Sequence, residues 1–304
     1  MAAGEELCID YHSEDMDLQP VHQRRAVLRR KWDFLCACPR CAAHGDDTRR
    51  FPCMETTCKG HHLAHQPTAE DQAELTACRT CGTHASPSYT SRMLRQEAGQ
   101  VQEVAEVRGL VDSGASVDVR PLVRRLQPPH PHHHLAAKAA RLRGELYYKT
   151  EQWEEAAKEL QAEIECREAI IRLPSRTTAE LHENRGDMLT LACMSLDAGA
   201  GEKREAGLLA HVEAYCCTAQ RQAEEAYRCA VQGQLITCGP SHPSTTIAAA
   251  KLAATHQGRT LGLSKAEQQG GGGGGEAKQA VMEEQQHQGS RGKKRKPFAW
   301  LAKN

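Results

Sequence analysis

Ala223-Glu224-Glu225-Ala226-Tyr227-Arg228-Cys229-Ala230, running on to Gly239-Pro240-Ser241-His242-Pro243, decides the class of fold. Ala223, Tyr227 and Ala230 recur at four- and three-residue steps, which places them on one face of an α-helix. Gly239 can take the left-handed conformation that closes a helix, and Pro240 cannot continue it. The pattern extends outward in both directions. Helical stretches are predicted at roughly 133–149, 151–173, 177–197, 203–237 and 243–257, and another over Met93–Val111, with Met93, Leu94, Val101, Val104, Val107, Leu110 and Val111 at helical spacing. Aromatics make up 4% of the chain, and Ala, Leu, Glu, Gln and Arg dominate, so the composition favours helix over sheet.

Two of these stretches carry a repeat signature. Gly144-x-x-Tyr147 with Ala156 and Leu160, and the 223–243 stretch, resemble the small–large positions of tetratricopeptide repeats, where small residues let two antiparallel helices approach. Such a domain implies a concave face able to hold a partner peptide.

Upstream, the chemistry changes. Seven of the fourteen cysteines fall between Cys36 and Cys81, in a segment rich in Gly, Pro, Thr and His that reads as loop over 36–90. Cys53-x4-Cys58 and Cys78-x2-Cys81, nineteen residues apart, read as the two knuckles of a zinc ribbon, with Gly82 supplying the positive φ that a knuckle often needs. A closed four-thiolate site has no open position and is structural. Cys36, Cys38 and Cys41 put three more thiolates within six residues, a set that one tetrahedral zinc ion can take. His61, His62 and His65 are spare ligands expected to face solvent, and His130, His132, His133 and His134 read as a polar hinge before the first repeat helix. Cys8 lies in a strand, and the six cysteines beyond Cys81 are expected to be small buried hydrophobes.

The N-terminal forty residues give this segment a context. Gly4-Glu5-Glu6-Leu7-Cys8-Ile9-Asp10-Tyr11 reads as a turn and a strand, with Leu7, Ile9 and Tyr11 alternating. Pro20 then opens a basic helix, Val21 to Trp32, which leads through Phe34 into Cys36-x-Cys38-x-x-Cys41. That order resembles the end of a SET domain and its post-SET zinc loop, as found in the SET–MYND group of protein lysine methyltransferases. The resemblance is sharp over residues 4–41 and diffuse to about 258. It implies that Tyr11 supplies the hydroxyl of the lysine channel and that Trp32 and Phe34 stand near channel and cofactor. Trp32 occupies the place of a usual Tyr, keeping an aromatic wall without its hydroxyl. The resemblance also implies S-adenosylmethionine as cofactor and a histone or other protein lysine as substrate. The family's fourth post-SET ligand is a cysteine after an Asn-His-Ser stretch; no Asn-His occurs in this chain, so either His44 substitutes or the site is open. The family's Gly-x-Gly strand and Asn-His pair do not precede residue 4. The expectation is therefore the C-terminal part of a methyltransferase, inactive as this chain, with a non-catalytic zinc-binding adaptor as the alternative.

Acidic and basic residues balance at 39 each, so no global field argues for a membrane or nucleic-acid partner. The ribbon segment also lacks the interleaved aromatics and basic surplus of a nucleic-acid binder. No apolar run approaches the ~18 residues of a membrane span. Four regions are expected: 1–41, the SET end with its short strand and cysteine loop; 42–90, the zinc ribbon; 91–258, the antiparallel helical domain; and 259–304, a disordered tail containing six consecutive glycines. Arg291–Pro297 in that tail is a candidate nuclear-localisation cluster. The expectation is a soluble protein, mainly α, of nucleus or cytoplasm.

Overall fold

Helix dominates the computed structural model, which describes residues 16–65, 74–113, 119–172, 174–198 and 206–267, with backbone alone for 196–198, 206–214 and 257–267. The chain divides into two compact units, residues 1–251 and 252–304; the described part of the second is the end of one helix. The order in the first unit is α1 (Val21–Trp32), α2 (Pro39–Ala42), β1 (Gly45–Pro52), β2 (His61–His65), α3 (Pro87–Asp112), α4 (Val119–Arg125), α5 (His134–Lys149), α6 (Trp153–Ile171), α7 (Arg176–Ala198), α8 (Ala206–Cys238) and the start of α9 (Pro243–Glu267).

Local chemistry sets the helix ends. Ser86 caps α3, its Oγ accepting from Tyr89 N at 3.2 Å, and Pro87 fills the first turn, where its missing N–H costs nothing. Arg172 closes α6 in the left-handed region, and Gly239, at φ 87°, closes α8 as expected, its N–H reaching the Gln234 and Leu235 carbonyls.

From α5 to α8, successive helices run antiparallel. Arg141 meets Glu163 at 2.7 Å between α5 and α6, while further along the pair Tyr148 stacks edge-on against Trp153. Between α7 and α8, Gly186 lies beneath the Tyr227 ring, whose hydroxyl donates to Asp187 at 2.8 Å, and Ala179 packs on Gly233. Val107, Val111, Leu122, Leu126, Leu142 and Leu146 form a core among α3, α4 and α5. Leu18, Ala136, Ala137, Cys166 and Ile170 form another where the turn at 16–18 meets α5 and α6.

The segment read as loop contains a hairpin. β1 and β2 pair antiparallel, Gly45 opposite His65 and Pro52 opposite His61, with a bulge between Asp46 and Arg50. Phe51, Ala64 and Leu75 pack on Tyr89 and Met93 of α3. Periodicity missed β1 because its polar residues are buried with partners. Asp46 accepts from Val21 N at 2.7 Å and so caps α1 from a distance, Arg49 forks onto Glu97, and Arg50 donates to the Ala169 carbonyl at 2.9 Å. The strand expected at residues 7–11 lies outside the described residues.

Three expectations need correction. His133 and His134 are fully buried at the start of α5, so this part of the histidine run is core and not a polar hinge. His62 faces the interior, with Nδ1 2.8 Å from the Thr76 carbonyl. Of the later cysteines, Cys166 and Cys193 are buried as expected, whereas Cys217 is exposed.

Candidate metal centres

Four cysteines converge at the loop end of the hairpin, where residues 53–60 join β1 to β2. Cys53 follows β1, and its N–H is held by the Gly60 carbonyl; Cys58 closes a turn onto the Glu55 carbonyl; Cys78 and Cys81 flank a second turn, in which Gly82 N donates to Cys78 O at 3.0 Å. Gly82 has φ 75°, as the knuckle reading requires. The Sγ atoms lie 3.5 Å apart for Cys53 and Cys81 and 3.8 Å for Cys58 and Cys78, with all four within 4.8 Å. A disulfide would hold two sulfurs at about 2.05 Å. Four sulfurs at about 2.3 Å from a tetrahedral zinc ion stand roughly 3.8 Å apart. The spacing is that of thiolates around an ion.

The surroundings fit the same group. Amides of Gly60 and Thr80 point at the Cys58 and Cys78 sulfurs, at 3.3 and 3.5 Å, as donors that stabilise metal-bound thiolates. Gly60 leaves room for this: a Cβ there would stand 2.7 Å from Cys78 Sγ and 2.5 Å from Thr80 Oγ1. Hydrogen bonds from the Thr83 side chain and amide pull the Cys81 thiol down to about 6, while burial and then its cysteine neighbours push Cys53 up to about 12. Cys81 thus ionises readily while Cys53 and Cys58 resist, and a bound cation would favour the thiolate form of both.

The second set is held by α1 and α2. Cys38 precedes Pro39, Cys41 is buried inside the short helix, and with Cys36 the three sulfurs lie within 4.8 Å. Arg25 braces both ends, its Nη2 donating to Cys41 O at 3.0 Å and its Nε to Cys36 O at 3.4 Å. Burial pushes Cys41 up to about 12, against the pull of the neighbouring Arg24 guanidinium. Arg24 is itself buried, with Nε and Nη2 lacking a hydrogen bond. A thiolate-rich zinc site carries excess negative charge, for which such a guanidinium is the natural counter-ion. His44 is not brought to this trio; its ring meets His65 edge-on at 6.0 Å. Among the described residues the trio has no fourth ligand.

Trp32, the last residue of α1, and Phe34 flank the left-handed residue Asp33 that ends the helix, 42% and 36% exposed, just ahead of Cys36 in the chain. Tyr11 lies outside the described residues. A third cluster, Glu97, His133 and His134, has no local sequence motif, because its members come from α3 and the start of α5.

Fold and sites together define a mainly helical protein with a small hairpin and two cysteine clusters suited to zinc. No family model matches the chain. Over 45 residues, 15% of this chain, it is 42% identical to the protein-lysine N-trimethyltransferase SMYD5 of Gallus gallus. The match covers 11% of that relative's length. Over that stretch the chain is related to a protein-lysine methyltransferase. Among the described residues no helix is long and apolar enough to cross a membrane.

Proposed function

We propose that this chain is the C-terminal, substrate-side part of a SET-domain protein lysine methyltransferase that uses S-adenosylmethionine. The 42% identity to a lysine methyltransferase carries the reading. The order Trp32-x-Phe34-x-Cys36-x-Cys38-x-x-Cys41 supports it. Zinc on Cys36, Cys38 and Cys41 fixes the loop that follows the channel aromatics, Tyr11 offers an uncharged hydroxyl to orient the lysine amine, and the ribbon zinc is structural. A histone or other protein lysine is the substrate. In this reading the cofactor is held by the family's Gly-x-Gly strand and Asn-His pair, and no Asn-His dipeptide occurs in this sequence.

Calorimetry with S-adenosylmethionine, on the chain alone and after joining a SET N-terminal half, tests this. No binding alone and stoichiometric binding when joined is the expected pair of results; no binding in either form removes the methyltransferase reading. One observation favours the adaptor as a second reading. A cleft of about 480 Å³ opens among α6, α7 and α8, lined by Glu154, Lys158, Gln161, Arg185, Tyr215 and Gln222, with the mixed polarity of a peptide groove.

A further inference from the structure

Three buried side chains that neither cysteine cluster uses meet where β1, α3 and the start of α5 come together. Glu97 is 8% exposed, His133 0% and His134 2%. His133 Nε2 lies 3.3 Å and His134 Nε2 3.6 Å from the same oxygen, Glu97 Oε1. Neither contact has hydrogen-bond geometry, and His134 has no hydrogen-bond partner on either ring nitrogen. A buried imidazole with both nitrogens idle costs a few kcal/mol of unreplaced hydration, so the site is incomplete as a purely polar network.

We propose that Glu97, His133 and His134 form a third metal site, for a divalent cation of the zinc class, which ties the hairpin to the helical array. The geometry carries it. Ligands at about 2.0–2.2 Å from a tetrahedral ion stand roughly 3.4 Å from one another, which the 3.3 and 3.6 Å contacts bracket. The three donor atoms all lie within 4.8 Å. Two imidazoles and a carboxylate are a donor set that zinc accepts and that magnesium or calcium, preferring oxygen, does not. The protonation states match: burial lowers His133 and pushes His134 down to about 3, so both are neutral ligands, while Glu97 is held ionised.

Two features oppose the ion, and magnitudes decide between them. Arg49 already occupies Glu97, Nε to Oε1 at 2.8 Å and Nη2 to Oε2 at 2.6 Å. Each carboxylate oxygen has a second lone pair, however, and a guanidinium fixing a ligating carboxylate from behind is the common outer-shell arrangement. His133 Nδ1 accepts from Leu135 N at 3.2 Å, so binding through Nε2 shifts its proton and sacrifices that cap. The loss is about 1 kcal/mol, against some 10 kcal/mol or more for a structural zinc ion. Beyond Glu97 itself, His133 feels the Arg49 guanidinium, which opposes a cation, and more weakly the Asp46 carboxylate, which favours one. The site is enclosed by buried groups, which makes it structural.

Cobalt(II) titration of the full, zinc-free chain tests the proposal. Once thiolate-to-cobalt charge-transfer absorption has saturated, one further equivalent should add visible d–d bands with no gain in charge transfer. Elemental analysis should show His134→Gln and Glu97→Gln each losing one zinc per chain while the charge-transfer bands stay intact. If cobalt uptake ends with the thiolate bands, or if both folded variants hold as much zinc as the parent, the site is a polar network only. Should either variant fail to fold, the titration of the unsubstituted chain still decides.

Discussion

Single residues carry the thiolate site, and the least conspicuous of them is Gly60. Its Cβ position is taken up by Thr80 and Cys78 Sγ, so Gly60→Ala must push the second knuckle away from the first. We expect that variant to lose one zinc per chain and to melt at lower temperature, measured by elemental analysis and calorimetry; a full zinc complement would show that the knuckles do not close on an ion. Cys58→Ser should lose the same equivalent by removing a ligand. The histidines respond to pH. His61 and His130 face each other, ring centroids 5.5 Å apart, and burial first, then Arg50 for one and the partner ring for the other, push each down to about 4. Their ordinary value is near 6.5, so between pH 6.5 and 4 the unfolded chain binds more protons than the folded one. Their contribution is whole above pH 6.5 and is lost as pH falls towards 4. Urea midpoints should therefore drop more steeply across that window in the parent than in His130→Gln; parallel curves would refute the assignment. The cysteine pairs were legible from spacing alone, because a metal fixes spacing. Glu97, His133 and His134 were not, because a histidine run beside prolines looks solvated until α3 supplies the carboxylate.

At the scale of elements, the sequence anticipated α5 to α8 to within a few residues at each end, since periodicity and caps such as Gly239 are local signals. It missed α4, only seven residues long, and the hairpin, whose polar strand is satisfied by distant partners. The repeat resemblance located small residues on the helix faces but not the tightest one. Gly144 has only ordinary contacts around its Cβ position, whereas a Cβ on Gly186 would stand 2.6 Å from the Tyr227 ring. Gly186→Ala should cost about 1–3 kcal/mol by forcing α7 and α8 apart. Gly109→Ala, in α3 with nothing within 4 Å, should instead gain roughly 0.5–1 kcal/mol from helix propensity. Urea denaturation of the two variants should show shifts of opposite sign; equal shifts would mean that the α7–α8 contact is not tight.

Across the whole molecule, the first compact unit, residues 1–251, joins the cysteine-bearing hairpin to the helices through buried charges and not apolar surface alone. Arg49 with Glu97 is the main link, and breaking such a pair leaves one charge buried without a partner. Removing metal should loosen the hairpin first, so chelation is expected to expose 45–65 to protease while α5–α8 resist. Simultaneous cleavage throughout would show that the unit unfolds in one step. Asp46 adds an order of events. Its carboxylate satisfies the first amide of α1 from twenty-five residues further along the chain. During synthesis α1 leaves the ribosome before the strand that caps it exists, and its basic last turn, Arg29, Arg30 and Lys31, then has no helix secured at the other end. The Trp32–Phe34 stretch and the three thiols behind it therefore settle fully only once β1 has emerged, so a nascent chain whose emerged part stops just short of Asp46 would present those cysteines beside a helix with its first turn uncapped.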